Sequence, residues 1–281
     1  MYTESGTVMT NPRTDVLIGF DSAWTDNPKA PGAICSVTLR DGQVVAFEPP
    51  RLVRFSEALA FISEHRSQDG HTLVAIDQPT VVPNLTSMRP VERVAASLVS
   101  WLGGGVQPSN RGRRGMFCEA SPIWPFLRSL EAIEDPETSR TAETGLYAIE
   151  VFPALALASL DPSFFGRLSA PRYNPARRKT YRYTDWIKVA EAAARTFAEL
   201  GVTEAADWCR GAAELTKPTK ADQDRLDAML CLAIALWWRS RDRSQSMILG
   251  SIDTGYMVLP ASREVRERLS ATAEKLGVAA I

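Results

Sequence analysis

Carboxylates stand at or near the ends of apolar segments in this 281-residue chain. Asp21 and Asp77 end two such segments, and Glu150 lies near the end of a third. Asp224 and Asp227 occupy the first turns of the long apolar segment 221–239. If these groups met in a partly dry pocket, they would repel one another and raise one another's pKa values unless a cation neutralised them. Hard divalent ions with oxygen ligands are the usual solution, so the pattern predicts a site for Mg²⁺ or Mn²⁺.

Other common hydrolytic chemistries lack their residues. The four cysteines lie far apart with no Cys-x-x-Cys spacing, which argues against a zinc site and a disulfide framework. His65 and His71, the two histidines, match no metalloprotease pattern and suggest no Ser-His-Asp triad. Reduced thiols and the lack of any apolar run near the roughly 20 residues of a membrane span predict a soluble, cytoplasmic protein.

The first half of the chain predicts how the carboxylates are positioned. Residues 15–21, 32–39 and 43–47 are strand-like, and the last two are joined by a turn containing Asp41-Gly42. A helix with Ser56 as its N-cap then leads to a buried strand at 72–77. In this βββαβ order, a right-handed crossover returns the fourth strand parallel to the first. Asp21 and Asp77 are therefore expected at the same edge of the sheet.

The remaining segments complete a mixed five-stranded α/β sheet of βββαβαβα order, with helices on both faces and helical insertions. The fifth strand is predicted at 146–152 and the last sheet-packing helix at 221–239, where Asp224 and Asp227 share one face. A hairpin and a charged helix close the chain. The expected organisation is a flexible tail at 1–13, a domain at 14–260 with insertions at 80–145 and 161–220, and a C-terminal helix at 261–281.

A basic segment follows the fifth strand. Residues 166–190 contain seven cationic side chains and one aspartate, a net charge of +6, interleaved with tyrosines and Trp186. Cations with aromatic rings are typical of grooves that bind a phosphate backbone and stack bases, which predicts DNA or RNA as a partner. The phosphate-binding candidates are Arg113, Arg114, Arg177, Arg178 and Lys179.

Four ordered motifs carry a family resemblance: GFDSAW at 19–24, AIDQP at 75–79, EVFP at 150–153 and DRLDA at 224–228. Together they resemble the domain of unknown function 429, a family of expected nucleases with the ribonuclease H-like fold. The resemblance implies hydrolysis of nucleic-acid phosphodiesters with two Mg²⁺ or Mn²⁺ ions. It implies that Asp21 bridges both ions, while Asp77 or Glu150 binds one and Asp227 the other.

Other interpretations of the same residues stay open. Each carboxylate taken alone is more often a turn, a helix N-cap or a solvated residue. A protein of the same fold could bind nucleic acid without cutting it. An actin-like phosphotransferase is a weaker alternative, since Asp21-Ser22-Ala23-Trp24 offers no second glycine for a phosphate turn. The sequence also leaves a homodimer open.

Overall fold

The structure, a computed structural model, describes residues 13–281. The predicted tail at 1–13 lies outside the described residues except for Arg13. The five strands of the central sheet, β1 to β5, are Thr14–Asp21, Gly32–Arg40, Gln43–Val53, His71–Ile76 and Gly145–Glu150. Their order in space is β3-β2-β1-β4-β5. β1 and β3 run antiparallel to β2, whereas β1, β4 and β5 are mutually parallel. The predicted mixed five-stranded α/β sheet is confirmed.

The helices α1 to α9 are Phe55–His65, Pro90–Trp101, Ile123–Leu130, Pro136–Thr141, Pro153–Leu160, Tyr183–Glu199, Thr203–Ala213, Lys220–Ser240 and Arg263–Leu276. The prediction of Ser56 as the N-cap of α1 is wrong, because Arg54 holds that position. The Arg54 backbone N–H donates to Glu57 Oε2 at 2.7 Å, which starts the helix at Phe55. β3 also runs beyond its predicted end through Pro49 and Pro50, which an edge strand tolerates.

Side-chain alternation along β1 divides the core into two layers. Ile18 and Phe20 face α1 and α3, where they pack with Phe61 and Phe126. Leu17 faces the other layer, which contains the apolar residues of α8. Because successive strand residues point to opposite faces, Gly19 and Asp21 share the α8 side with Leu17.

A two-stranded sheet lies beside the central one. Its strands, β6 and β7, are Ser246–Ser251 and Gly255–Pro260, and they pack with α2, α5 and α9 around a separate apolar cluster. The predicted closing hairpin and C-terminal helix correspond to β6, β7 and α9. Among residues 13–281, every helix falls short of the length or apolar character that spanning a bilayer requires.

Candidate functional site

Four aspartates from three elements line one cavity of about 620 Å³. Asp21 ends β1, Asp77 directly follows β4, and Asp224 and Asp227 lie in α8. The two strand positions are neighbours because β1 and β4 are parallel and pair Phe20 with Ile76. The Asp77 backbone N–H donates to Phe20 O at 2.9 Å, which continues the ladder past the last strand residue. The sequence analysis expected Asp21 and Asp77 at the same edge of the sheet, and the structure has them there.

A glycine brings α8 against β1. A Cβ atom on Gly19 would lie 2.2 Å from Ala228 O and 2.4 Å from Leu232 N, so any side chain there would collide with the helix backbone. Helix and strand therefore approach more closely here than ordinary side chains allow. Because Gly19 precedes Asp21 by two residues and Ala228 follows Asp227, this contact sets the two carboxylates beside one cavity. Gly19 and Ala228 both belong to the motifs that suggested the family.

Hydrogen bonds hold Asp227 from both sides. Tyr173 donates its hydroxyl to Oδ1 at 2.8 Å, and Gln223 donates Nε2 to Oδ2 at 2.6 Å. Asp21 and Asp77, in contrast, accept no hydrogen bond at their carboxylates from any residue of 13–281. Asp227 is therefore oriented by its neighbours, while Asp21 and Asp77 present free oxygen atoms to the cavity.

Electrostatic repulsion is strong at this site. Burial, followed by the charges of Asp227 and Asp77, raises the pKa of Asp21 well above its ordinary value. Burial and Asp227 do the same for the pKa of Asp77. Burial raises the pKa of Asp227 to about 6, opposed by the Lys220 ammonium. Lys220 forms an ion pair with Asp224 across one helical turn, and it opposes the rise in the pKa of Asp21 as well. One lysine leaves much of this negative charge uncompensated.

The donor chemistry fits a hard divalent cation. All the acidic ligands are carboxylate oxygens, and Gln223 adds an amide oxygen: its Oε1 is buried and has no hydrogen-bond partner within 13–281. A buried acceptor with no donor is costly and indicates a missing partner. In the described part of the chain, however, no three Asp, Glu, His or Cys side chains are arranged closely enough to hold a metal ion.

The family model described as "Protein of unknown function (DUF429)" matches residues 19–249. The chain belongs to this family. The match covers most of the chain and includes all four aspartates of the cavity. It confirms the family suggested by the motifs and carries no assignment of activity. No curated protein and no solved structure matches this DUF429 chain.

Glu150 differs from the four aspartates. It also lines the cavity, but Arg89 holds both of its oxygens, with Nη2 2.6 Å from Oε1 and Nη1 2.8 Å from Oε2. The Thr80 backbone N–H adds a third bond to Oε2 at 3.1 Å. Burial raises the pKa of Glu150, and the bidentate guanidinium counteracts that rise. Sequence reasoning proposed Glu150 as a metal ligand, whereas in this structure its lone pairs already serve Arg89.

The basic candidates are dispersed. Arg177 lines the cavity of the DUF429 protein, while Arg113, Arg114, Arg178 and Lys179 do not. Arg113 donates to Pro108 O at 3.1 Å, which fixes a loop of the 80–145 insertion. The cavity contains further cations that sequence reasoning did not select, namely Lys29, Arg89, Arg172 and Lys220.

Several residues that shape the site were missed for identifiable reasons. Tyr173 was considered only for stacking bases, because its bond to Asp227 joins residues 54 positions apart. Gln223 carried a usable signal: it lies four residues before Asp227, and such residues are neighbours on a helix. Lys220 lies four residues before Asp224 in the same way.

Proposed function

We propose that this DUF429 protein is a ribonuclease H-like, metal-dependent nuclease that hydrolyses phosphodiester bonds of nucleic acid. One observation carries the proposal: the carboxylates of Asp21, Asp77 and Asp227 line one cavity with more negative charge than Lys220 neutralises. Two Mg²⁺ or Mn²⁺ ions among these groups would remove the repulsion, and phosphate oxygens of a substrate would complete their coordination.

The topology supports the fold part of the proposal. An antiparallel three-strand unit, β1 to β3, is extended by parallel β4 and β5, and α8 packs across β1. The ribonuclease H-like expectation from the motifs requires this order, with acidic residues at the ends of β1 and β4 and on the last sheet-packing helix. A fold alone does not define an activity, so the functional part of the proposal depends on the cavity.

The proposed ligands divide by their surroundings. Asp21, on which the charges of Asp77, Asp227 and Asp224 all act, would hold the ions together with Asp77 and Asp227, and Asp224 would assist. Glu150 is left out of the ligand set because Arg89 occupies both oxygens. Tyr173 and Gln223 would keep the Asp227 carboxylate in one orientation, as hydrogen-bonded neighbours of metal ligands commonly do.

Catalysis then requires little of the protein beyond placement. Bound at these carboxylates, divalent ions would supply a hydroxide nucleophile at neutral pH and stabilise charge on the phosphoryl and leaving oxygens. Among the protein's own side chains, Tyr173 and Gln223 would orient Asp227. Metal ions would replace the Lys220 ammonium as the positive charge beside Asp21, and Lys220 would remain paired with Asp224.

The test is a nuclease assay with Mg²⁺, Mn²⁺ or EDTA on single-stranded, duplex, hybrid and branched DNA and RNA. We expect metal-dependent cleavage that is abolished by Asp21→Asn. Asp253→Asn is the matched control, because Asp253 is exposed in the β6–β7 turn and lines no part of the cavity. Cleavage that survives Asp21→Asn rejects the assignment. Salt-sensitive binding with no cleavage of any substrate would favour a non-catalytic nucleic-acid-binding protein.

A further inference from the structure

The cavity is lined by several chain segments that contact one another. The loop after β1 lies against the 80–145 insertion, where the rings of Trp24 and Phe117 meet edge to face with centroids 5.7 Å apart. In the same insertion, directly after α2, the Trp101 and Leu102 carbonyls accept from the Leu168 and Ala170 N–H groups at 3.0 and 2.8 Å. Residues 101–117, called the arch below, are thus held against the loop after β1 and against residues 168–170, and residues of all three segments line the cavity.

A glycine allows the close contact between the end of α2 and residues 168–170. Gly103 has a φ of +88°, and a Cβ atom there would lie 3.1 Å from a Leu168 side-chain carbon and 3.4 Å from the Arg172 guanidinium. A side chain would be strained by the backbone and crowded by the neighbouring segment. Gly103 therefore lets the arch lie close against the start of the basic segment.

Unpaired cations line the cavity below the arch. Arg172 and Arg177 line it, and neither guanidinium donates a hydrogen bond or ion pair to a residue within 13–281. The Arg172 backbone is fixed, because its N–H donates to Asp185 Oδ2 at 2.8 Å and its carbonyl accepts from Arg182 N–H at 2.7 Å. A guanidinium without an internal partner, on a backbone fixed beside the cavity, is suited to bind phosphate.

The size of the cavity, about 620 Å³, restricts what can reach Asp21. Duplex DNA has a persistence length of about 50 nm and cannot fold into a cavity of this size. An internal stretch of single strand needs room both to enter the cavity and to leave it. A free end needs only to enter.

We propose, on the basis of the proposed nuclease function, that the substrate is the free end of a single-stranded nucleic acid. Its terminal nucleotides occupy the cavity under the arch, Arg172 and Arg177 bind the phosphates behind them, and the exposed part of Trp24 offers a surface for a base. Cutting then proceeds from an end and releases short products.

Binding can be tested separately from cleavage. The probe is one single-stranded sequence in linear and covalently circular form, made as DNA and as RNA and mixed with the full-length Asp21→Asn variant and Mg²⁺. We expect the linear form to bind about tenfold more tightly than the circle in fluorescence anisotropy. Adding Arg177→Ala should weaken linear binding several-fold, whereas Arg182→Ala, an exposed arginine of the same segment that does not line the cavity, should not.

Equal affinity for line and circle, or no binding of either, overturns the inference. A cleavage assay of the unmodified protein in Mn²⁺ distinguishes a failure of this inference from a failure of the proposed function. Equal cutting of both forms keeps the nuclease and rejects end recognition. No cutting together with preferred binding of the linear form rejects the nuclease and keeps end recognition. Trp24→Ala removes the contact between the rings of Trp24 and Phe117, and its folding is checked by thermal melting. In this variant the preference for the linear form should decrease.

Discussion

Arg89 and Glu150 form a bidentate ion pair in which the arginine side chain is fully buried. Arg89 Nη2 lies 2.6 Å from Glu150 Oε1, and Nη1 lies 2.8 Å from Oε2. Arg89 Nε also binds Glu92 Oε1 at 2.9 Å, so one buried cation serves two buried carboxylates. The trio joins α2 of the 80–145 insertion to the end of β5. Arg89 thus ties the 80–145 insertion to the central sheet and, in the same geometry, occupies both oxygens of Glu150.

Replacing Arg89 by Met should therefore destabilise the protein strongly. Two carboxylates would be left buried without a counter-charge, a loss of about 3–5 kcal/mol in the free energy of unfolding. Urea unfolding followed by circular dichroism measures it. Arg243→Met is the matched control, since its pair with Glu137 is partly exposed and is worth about 1 kcal/mol or less. Similar losses in the two variants would contradict this account of the buried trio.

Asp21→Asn should make the metal-free protein more stable while it removes metal binding. The variant eliminates a buried charge that repels Asp77 and Asp227, as the raised pKa of Asp21 indicates. We expect a gain of about 1 kcal/mol in the free energy of unfolding, typical of relieving strain at a functional site. Melting in EDTA and in Mn²⁺ measures both effects.

The unmodified protein should melt at a higher temperature in Mn²⁺ than in EDTA, and the variant should show little difference. Asp253→Asn should behave like the unmodified protein in both conditions. If Asp21→Asn instead lowers stability in EDTA, the acidic group is not under electrostatic strain, and the main physical reason for expecting metal is lost.

The sheet and its acidic edge could be predicted because they depend on local patterns and one handedness rule. The apolar runs ending at Asp21 and Asp77 identified β1 and β4, and the right-handed crossover made them neighbours. Gly19 could have been recognised as a close-contact position only once α8 was known to cross β1. Its 2.2 Å approach to Ala228 O is a tertiary fact with no local signal.

The pairing of Glu150 with Arg89 could not be predicted for a similar reason. Its strand position resembles those of Asp21 and Asp77, but its partner Arg89 is 61 residues away in an insertion of irregular pattern. Any arginine of the chain was an equally plausible partner. Likewise, the sequence shows which residues of the basic segment are cations, but which of them line the cavity depends on the path of the loop between α5 and α6.

Gln223→Leu should weaken metal binding without unfolding the protein. Leu keeps much of the volume but removes both the bond from Nε2 to Asp227 and the unpartnered Oε1. Loss of such an orienting neighbour typically costs about 10- to 100-fold in metal affinity. Titration of Mn²⁺, followed by electron paramagnetic resonance, measures it. The exposed Gln245→Leu is the control, and equal affinities for the two variants would show that Gln223 has no role toward the metal.

Asp15, at the opposite end of β1 from Asp21, should make stability depend on pH in the acid range. Burial alone would raise the pKa of Asp15, but His71, Arg239 and Arg13 around it lower the value from 3.8 to about 2. Arg239 supplies two of these contacts, with Nε at 3.0 Å and Nη2 at 2.6 Å from Oδ1.

A lowered carboxyl pKa stabilises the folded state at pH values above the unfolded pKa, and this contribution disappears as pH falls through the folded pKa. Asp15→Asn should therefore cost about 1–2 kcal/mol at pH 7. The difference from the unmodified protein should narrow steadily between pH 4 and pH 2. Urea unfolding at pH 7, 4 and 3 measures the gap. If the difference in the free energy of unfolding stays constant down to pH 3, the charge of the Asp15 carboxylate does not contribute to stability.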